Sequence, residues 1–203
     1  MIAIIDNNYS NLKSISNALV FLNFKYEIIS PENLDKKYSH AIIPGVGNFS
    51  KAMKDLTKND GHLKIIEFAK SKKPIMGICL GMQLLASTGD ESGPSNGLNL
   101  IGGSVKKISI ERSHYMPHIG WNTVNFIKDH PILKDIKNNM DFYFVHSYCF
   151  NLDNEDSSVG KTFYYKNFNS IVMKENIIGL QFHPEKSQKY GLKILQNFCN
   201  WNI

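Results

Sequence analysis

Three short segments, far apart in a chain of 203 residues, hold side chains that together could attack an amide bond. The first is Gly77-Ile78-Cys79-Leu80-Gly81, set between an apolar run at 74–78 and a helical pattern carrying Met82, Leu84, Leu85 and Ala86. A nucleophile there sits on a tight strand-to-helix turn, where flanking glycines relieve crowding and permit strained dihedrals. Such a turn projects its side chain at the carboxyl edge of a sheet, where open α/β folds bind ligands. The N-terminus of the following helix favours a thiolate over a thiol. An isolated cysteine would read as an inert buried thiol; the Gly-x-Cys-x-Gly frame makes Cys79 the candidate nucleophile.

The second segment is Gln181-Phe182-His183-Pro184-Glu185, after the apolar run 177–180. His183 at a strand end could take the proton of Cys79 and return it to a departing amine. Glu185 could orient the imidazole and stabilise its charged form, and Pro184 disfavours an α conformation at His183. A lone His-Pro-Glu is more often a surface turn; paired with the cysteine turn it is a candidate base and orienter. The third segment, Pro44-Gly45-Val46-Gly47, follows the apolar run 41–43. Acyl chemistry at Cys79 needs donors for a developing oxyanion. The amide of Leu80 could supply one, and the amide of Val46 or Gly47 another.

Elements able to position these groups are visible in the pattern. In the first half, strand-like runs at 2–6, 26–29, 41–43 and 74–78 alternate with helical stripes. One stripe is Leu12, Ile15, Leu19 and Leu22; another is Ile65, Ile66, Phe68 and Ala69. This alternation predicts a mostly parallel sheet with crossover helices. The second half predicts strands at 105–110, 121–126, 141–150, 159–165, 170–174 and 177–182, with turns at 166–169 and 175–176. A last helix is expected over 188–201, and 91–99 reads as a surface loop. No repeat or linker divides the chain, so residues 1–203 are expected to form one domain.

Composition narrows the class. Hydrophobic residues at 42% and charged residues at 20% are those of a globular protein. The net charge of +5 is carried by scattered lysines, with Arg112 the one arginine, so no nucleic-acid partner is expected. No apolar run approaches the ~20 residues of a membrane span, and the N-terminus lacks a basic leader, which predicts a cytoplasmic protein. The three cysteines at 79, 149 and 199 show neither a paired framework nor CxxC spacing, so neither a disulfide scaffold nor a structural zinc site is expected, and thiol chemistry at Cys79 needs no metal or organic cofactor.

Together PGVG, GICLGMQLL, PHIGWN, FYFVHSY and GLQFHPEKS resemble the class I (triad) glutamine amidotransferases over essentially the whole chain. More narrowly, they resemble the glutaminase subunit of imidazole glycerol phosphate synthase. The resemblance implies a flavodoxin-like α/β glutaminase domain, with helices flanking the sheet and an added β-rich region. It implies hydrolysis of L-glutamine to glutamate and ammonia by Cys79, His183 and Glu185. Gly45, Gly47, Gln83, Ser147 and Tyr148 match glutamine-binding positions; Gln83 follows Cys79 by one helical turn. Asn11, Trp121, Tyr143, His146 and Lys186 match positions near the interface with the synthase. The implied partner is a (β/α)₈-barrel cyclase that receives ammonia as the second half of a heterodimer.

The first loop, Asp6-Asn7-Asn8-Tyr9-Ser10-Asn11, departs from the glycines usual in the family, although Asn also tolerates left-handed dihedrals. Because that loop belongs to the partner-facing side in the family, a paralogue serving another synthase, such as one modifying a surface sugar, stays open. A peptidase of the same broad fold and a catalytically silent binding module are the remaining alternatives. Glutamine-dependent ammonia release separates both from a glutaminase.

Overall fold

The computed structural model describes residues 1–8, 10–109 and 115–203. Five parallel strands build its centre: β1 (Ile2–Ile5), β2 (Tyr26–Ile29), β3 (His40–Ile43), β4 (Ile75–Ile78) and, from the far end of the chain, Ile177–Leu180. Their order is β2-β1-β3-β4 and then Ile177–Leu180, the flavodoxin-like arrangement expected. All residues of β1, β3 and β4 are buried, which is why these runs are continuously apolar instead of alternating. Helices α1 (Leu12–Phe21), α2 (Phe49–Lys58) and α3 (Gly61–Lys70) make crossovers, and the short α4 (Leu80–Leu84) starts directly after Cys79.

The second half adds β5 (Thr88–Gly89), β6 (Ser95–Asn96), β7 (Gly103–Lys107), β8 (His118–Phe126), β9 (Met140–His146) and β10 (Tyr148–Leu152). After them come β11 (Ser158–Tyr164), β12 (Lys166–Lys174), the central strand β13 (Ile177–Leu180) and the last helix, α5 (Gln188–Cys199). β12 pairs antiparallel with β13, and β10, β7, β5 and β6 continue that sheet outward. β11 links β12 to β8, which pairs antiparallel with β9. Among the described residues two apolar clusters result, and Cys79 belongs to one of them beside Phe142, Phe144, Phe168, Leu180 and Phe182.

Several boundaries differ from expectation for local reasons. The turn expected at 166–169 is strand; the chain reverses at Tyr165, whose φ of 61° places a non-glycine in the left-handed region. The single strand expected over 141–150 is two, broken at Ser147. The run 91–99 contains the short strand β6, and the final helix ends at Cys199, before Trp201. The strand expected at 105–110 begins at Gly103 and ends at Lys107; Ile110 lies outside the described residues. In the first loop, Asn8 takes φ 61° and buried Asn7 donates to the carbonyl of Pro44 (2.9 Å). Asparagine thus supplies the left-handed residue that glycine would otherwise give, and ties this loop to the segment at 44–47.

Candidate active site

β4 delivers Cys79 to the turn in a strained conformation, φ 52° and ψ −106°. Glycines on either side make that turn sterically feasible. A Cβ at Gly81 would lie 1.7 Å from the carbonyl oxygen of Ile43, and one at Gly77 2.6 Å from that of Gly81. Strain of this kind is tolerated where surrounding structure holds it, and here the Cys79 N–H donates to the carbonyl of Leu180 (2.7 Å) while its own carbonyl accepts from the Gln83 N–H (3.1 Å).

β13 carries His183 to the same end of the sheet. His183 is extended (φ −96°, ψ 99°), as the following proline requires, and the chain enters a 3₁₀ turn at Pro184–Lys186. Its Nδ1 lies 2.8 Å from Glu185 Oε1, and both side chains are almost wholly buried. The backbone is pinned too: His183 N–H donates to the carbonyl of Tyr143 (2.9 Å), and Ser187 Oγ donates to the carbonyl of His183 (2.6 Å). Among the described residues, His183 Nε2 has no hydrogen-bond partner, leaving it open to exchange a proton. Burial opposes charge on this imidazole, yet the Cys79 sulfur and the Glu185 carboxylate together raise its pKa to about 10.

A cavity of about 410 Å³ opens at Cys79, lined by Val46, Gly47, Leu80, Gln83, Ser147 and Tyr148 among others. Of the residues expected at the oxyanion and glutamine positions, Val46, Gly47, Leu80, Gln83, Ser147 and Tyr148 meet around one space, with Pro117, Val145 and Lys186, while Gly45 is not in its lining. The sequence reading missed Glu91, a cavity carboxylate whose Oε2 accepts from the Phe49 amide at the start of α2 (2.8 Å). Its place in a polar Gly/Ser-rich run gave no periodic signal. The amide of Leu80, expected to face an oxyanion, instead donates to the carbonyl of Gly45 (3.2 Å).

The partner-side residues divide. Trp121 and Tyr143 are cross-strand partners on β8 and β9 in edge contact, ring centroids 6.1 Å apart. Lys186 Nζ lies 5.7 Å from the Tyr143 ring, and Asn11 is exposed at the start of α1. His146 lies deeper than the others: it is buried, its Nε2 is 2.9 Å from His118 Nδ1, and it lines the same cavity as Cys79. The strand's inward alternation, with Phe142, Phe144 and His146 on one face, carries it there.

Opposite histidine shifts predict a stability maximum. Burial lowers His118 to about 4 and His146 to about 3, so both are neutral at pH 7. Their contribution to folding is complete above ~6.5, the unfolded value, and is lost as pH falls towards 4. His183, raised to about 10, contributes fully below ~6.5 and loses its effect as pH rises towards 10. Stability is expected to peak near pH ~6.5, with slopes of up to ~1.4 kcal/mol per pH unit for each group. Urea midpoints from pH 4 to 10 check this; a midpoint climbing from 6.5 to 9 would contradict the charged state of His183.

A strained cysteine at a strand–helix turn, a buried His–Glu pair and a flavodoxin-like sheet define a thiol-dependent α/β hydrolase. The chain belongs to the class-I glutamine amidotransferases, whose family model matches residues 3–201. These are enzymes that work through a Cys–His–Glu triad, as the sequence motifs imply. The chain is 44% identical over 204 residues to imidazole glycerol phosphate synthase subunit HisH of Sulfurimonas denitrificans, covering 99% of this chain and 98% of that protein. The subunit of the same name from Methanocaldococcus jannaschii is 43% identical over 206 residues, covering 98% of each. Among solved structures, PurLQS from Thermotoga maritima matches with TM-score 0.75 at 17% identity, covering 98% of this chain and 97% of that one. That last likeness speaks for the fold alone.

Proposed function

We propose that this chain is the glutaminase subunit of an imidazole glycerol phosphate synthase, releasing ammonia from L-glutamine for histidine biosynthesis. One observation carries the catalytic reading: the buried His183–Glu185 pair, 2.8 Å apart, electrostatically coupled to a strained cysteine at a cavity wall. Cys79 attacks the side-chain amide carbon, and His183, charged by the proton it took, returns it to the leaving ammonia. Water then enters, His183 removes its proton, and the glutamyl thioester is hydrolysed. Glu185 holds the imidazole and stabilises its charged form. Gln83, Ser147, Tyr148 and the backbone at Gly45 and Gly47 surround the glutamine, while the Glu91 carboxylate suits its ammonium group.

The oxyanion donors are the amides of Leu80 and of Val46 or Gly47. In the present arrangement the Gly45 carbonyl engages the Leu80 amide. Rotation of the Gly45–Val46 peptide would withdraw that carbonyl and turn the Val46 N–H inward, and Gly45 makes such a rotation sterically inexpensive. Residues 1–203 act as one domain in the cytoplasm. The (β/α)₈-barrel cyclase docks on the face bearing Asn11, Trp121, Tyr143 and Lys186.

Substitutions at the pair test the catalytic roles. His183→Ala is expected to lower kcat for glutamine hydrolysis by at least ~10³-fold, and Glu185→Gln by less, since Glu185 transfers no proton. Ammonia release by the two variants in the presence of the synthase is the measurement. Rates within about threefold of wild type for both, under ~1 kcal/mol of barrier, would eliminate the triad.

A further inference from the structure

One backbone carbonyl, that of Tyr148, sets the direction of a chain of hydrogen bonds reaching the nucleophile. A carbonyl only accepts, so Gln83 must turn Nε2 towards it (3.0 Å). The same Nε2 lies 3.2 Å from Gln181 Oε1, which takes the second hydrogen. Gln181 therefore keeps its oxygen on Gln83 and its Nε2 towards Cys79, 3.7 Å from Sγ. From the other side, His146 Nδ1 lies 2.8 Å from the Tyr148 carbonyl and must carry a hydrogen. In the neutral ring Nε2 then accepts, and takes the hydrogen of His118 Nδ1 at 2.9 Å. His118 Nε2 accepts in turn from Asn122 Nδ2 (3.1 Å), whose other hydrogen meets the carbonyl of Phe163 (3.0 Å). Each donor atom along the line reaches at least one acceptor. Gln83, His118, His146 and Gln181 are all buried.

We propose that Gln181 is a further catalytic residue, an N–H donor that stabilises the Cys79 thiolate, oriented by Gln83 as a positioning residue. The proposal rests on Cys79 being the nucleophile. The sulfur has two contacts that respond oppositely to its proton. As a thiol, Sγ donates to the carbonyl of Val145 at 3.8 Å; as a thiolate it has nothing to donate and that oxygen repels it. The Gln181 N–H strengthens instead, because bonds to a charged acceptor are stronger than neutral ones. A neutral amide does this without competing with His183 for the proton.

The test uses iodoacetamide, which alkylates thiolates and requires no recognition of glutamine. Its rate at Cys79 is followed across pH on the full chain by peptide mapping. Gln181→Met, similar in length and unbranched, is expected to slow Cys79 alkylation about tenfold at neutral pH and to move the profile's midpoint upward. Gln181→Leu should shift it in the same direction, and thermal melting identifies which variant is folded. Wild-type rates and midpoint in a folded variant would overturn the role of Gln181 alone. A wild-type Cys79 that no thiol reagent labels at any pH would overturn the nucleophile, and this proposal with it.

Discussion

Replacing Cys79 by Ala is expected to abolish glutamine hydrolysis while leaving the fold in place. Loss of a covalent nucleophile costs on the order of 10⁶-fold in kcat where the residues act as a unit. The fold should survive because alanine keeps the Cβ and changes neither Gly77 nor Gly81, whose close approaches form the turn. The strained φ of 52° is present in both proteins and does not distinguish them. Cys79→Ser should be nearly as inactive, since a hydroxyl is far less acidic than a thiol and is a much poorer nucleophile at neutral pH. Ammonia release, with circular dichroism as a check on folding, measures both. Residual activity above one per cent of wild type in the alanine variant would remove Cys79 from the mechanism.

The second large effect concerns the partner. With the Leu80 amide committed to Gly45, the subunit alone lacks an oxyanion donor next to its nucleophile. It is expected to release ammonia 10²–10³-fold more slowly than in the complex with ligand-bound synthase, about the contribution of one such donor. A synthase ligand produces this gain only by binding preferentially to the complex in which the peptide is turned. The proposed docking face is tied to the catalytic histidine: the Tyr143 carbonyl accepts the His183 N–H, and the Tyr143 N–H donates to Ser187 Oγ (3.0 Å). Assaying the purified subunit alone, with a histidine-pathway cyclase, and with a sugar-modifying synthase decides the matter. Full activity alone would end the gate, and activation by the sugar-modifying synthase only would reassign the pathway.

What the sequence made legible follows from what local chemistry demands. The cysteine turn was readable because only glycine fits at positions 77 and 81, where a Cβ would enter a neighbouring backbone. β1, β3 and β4 were readable because strands buried on both faces are continuously apolar. The reversal at Tyr165 was not, since no turn residue marks it; its left-handed φ is imposed by the pairing of Tyr164 with Lys166 across the hairpin. Likewise the break at Ser147 carries no glycine or proline. It is here that His146 turns inward to bond the carbonyl of Tyr148, so its burial could not be read from a motif that places it near a partner.

The orientation of a single peptide is further still from anything sequence pattern encodes. Pro44-Gly45-Val46-Gly47 pointed to a segment of donor amides, and the structure shows the Gly45 carbonyl meeting Leu80. Gln181 illustrates the opposite case. It lay inside a motif read for its histidine and glutamate, and its role emerges only once Gln83 and the Tyr148 carbonyl fix which way its amide points.

The central claim, that this chain attacks glutamine through Cys79, is tested most directly by a glutamine-mimicking alkylator followed by peptide mapping. All three cysteines are buried, so simple exposure does not favour one of them. Burial raises the Cys149 thiol and pushes Cys199 up to about 12, which holds both in the unreactive protonated form at neutral pH. Cys79 alone borders the cavity that would admit a glutamine-shaped reagent. The account predicts label on Cys79, protection by added glutamine, and none on Cys149 or Cys199. Label mainly on Cys149 or Cys199, or labelling of Cys79 that glutamine does not slow, would contradict it.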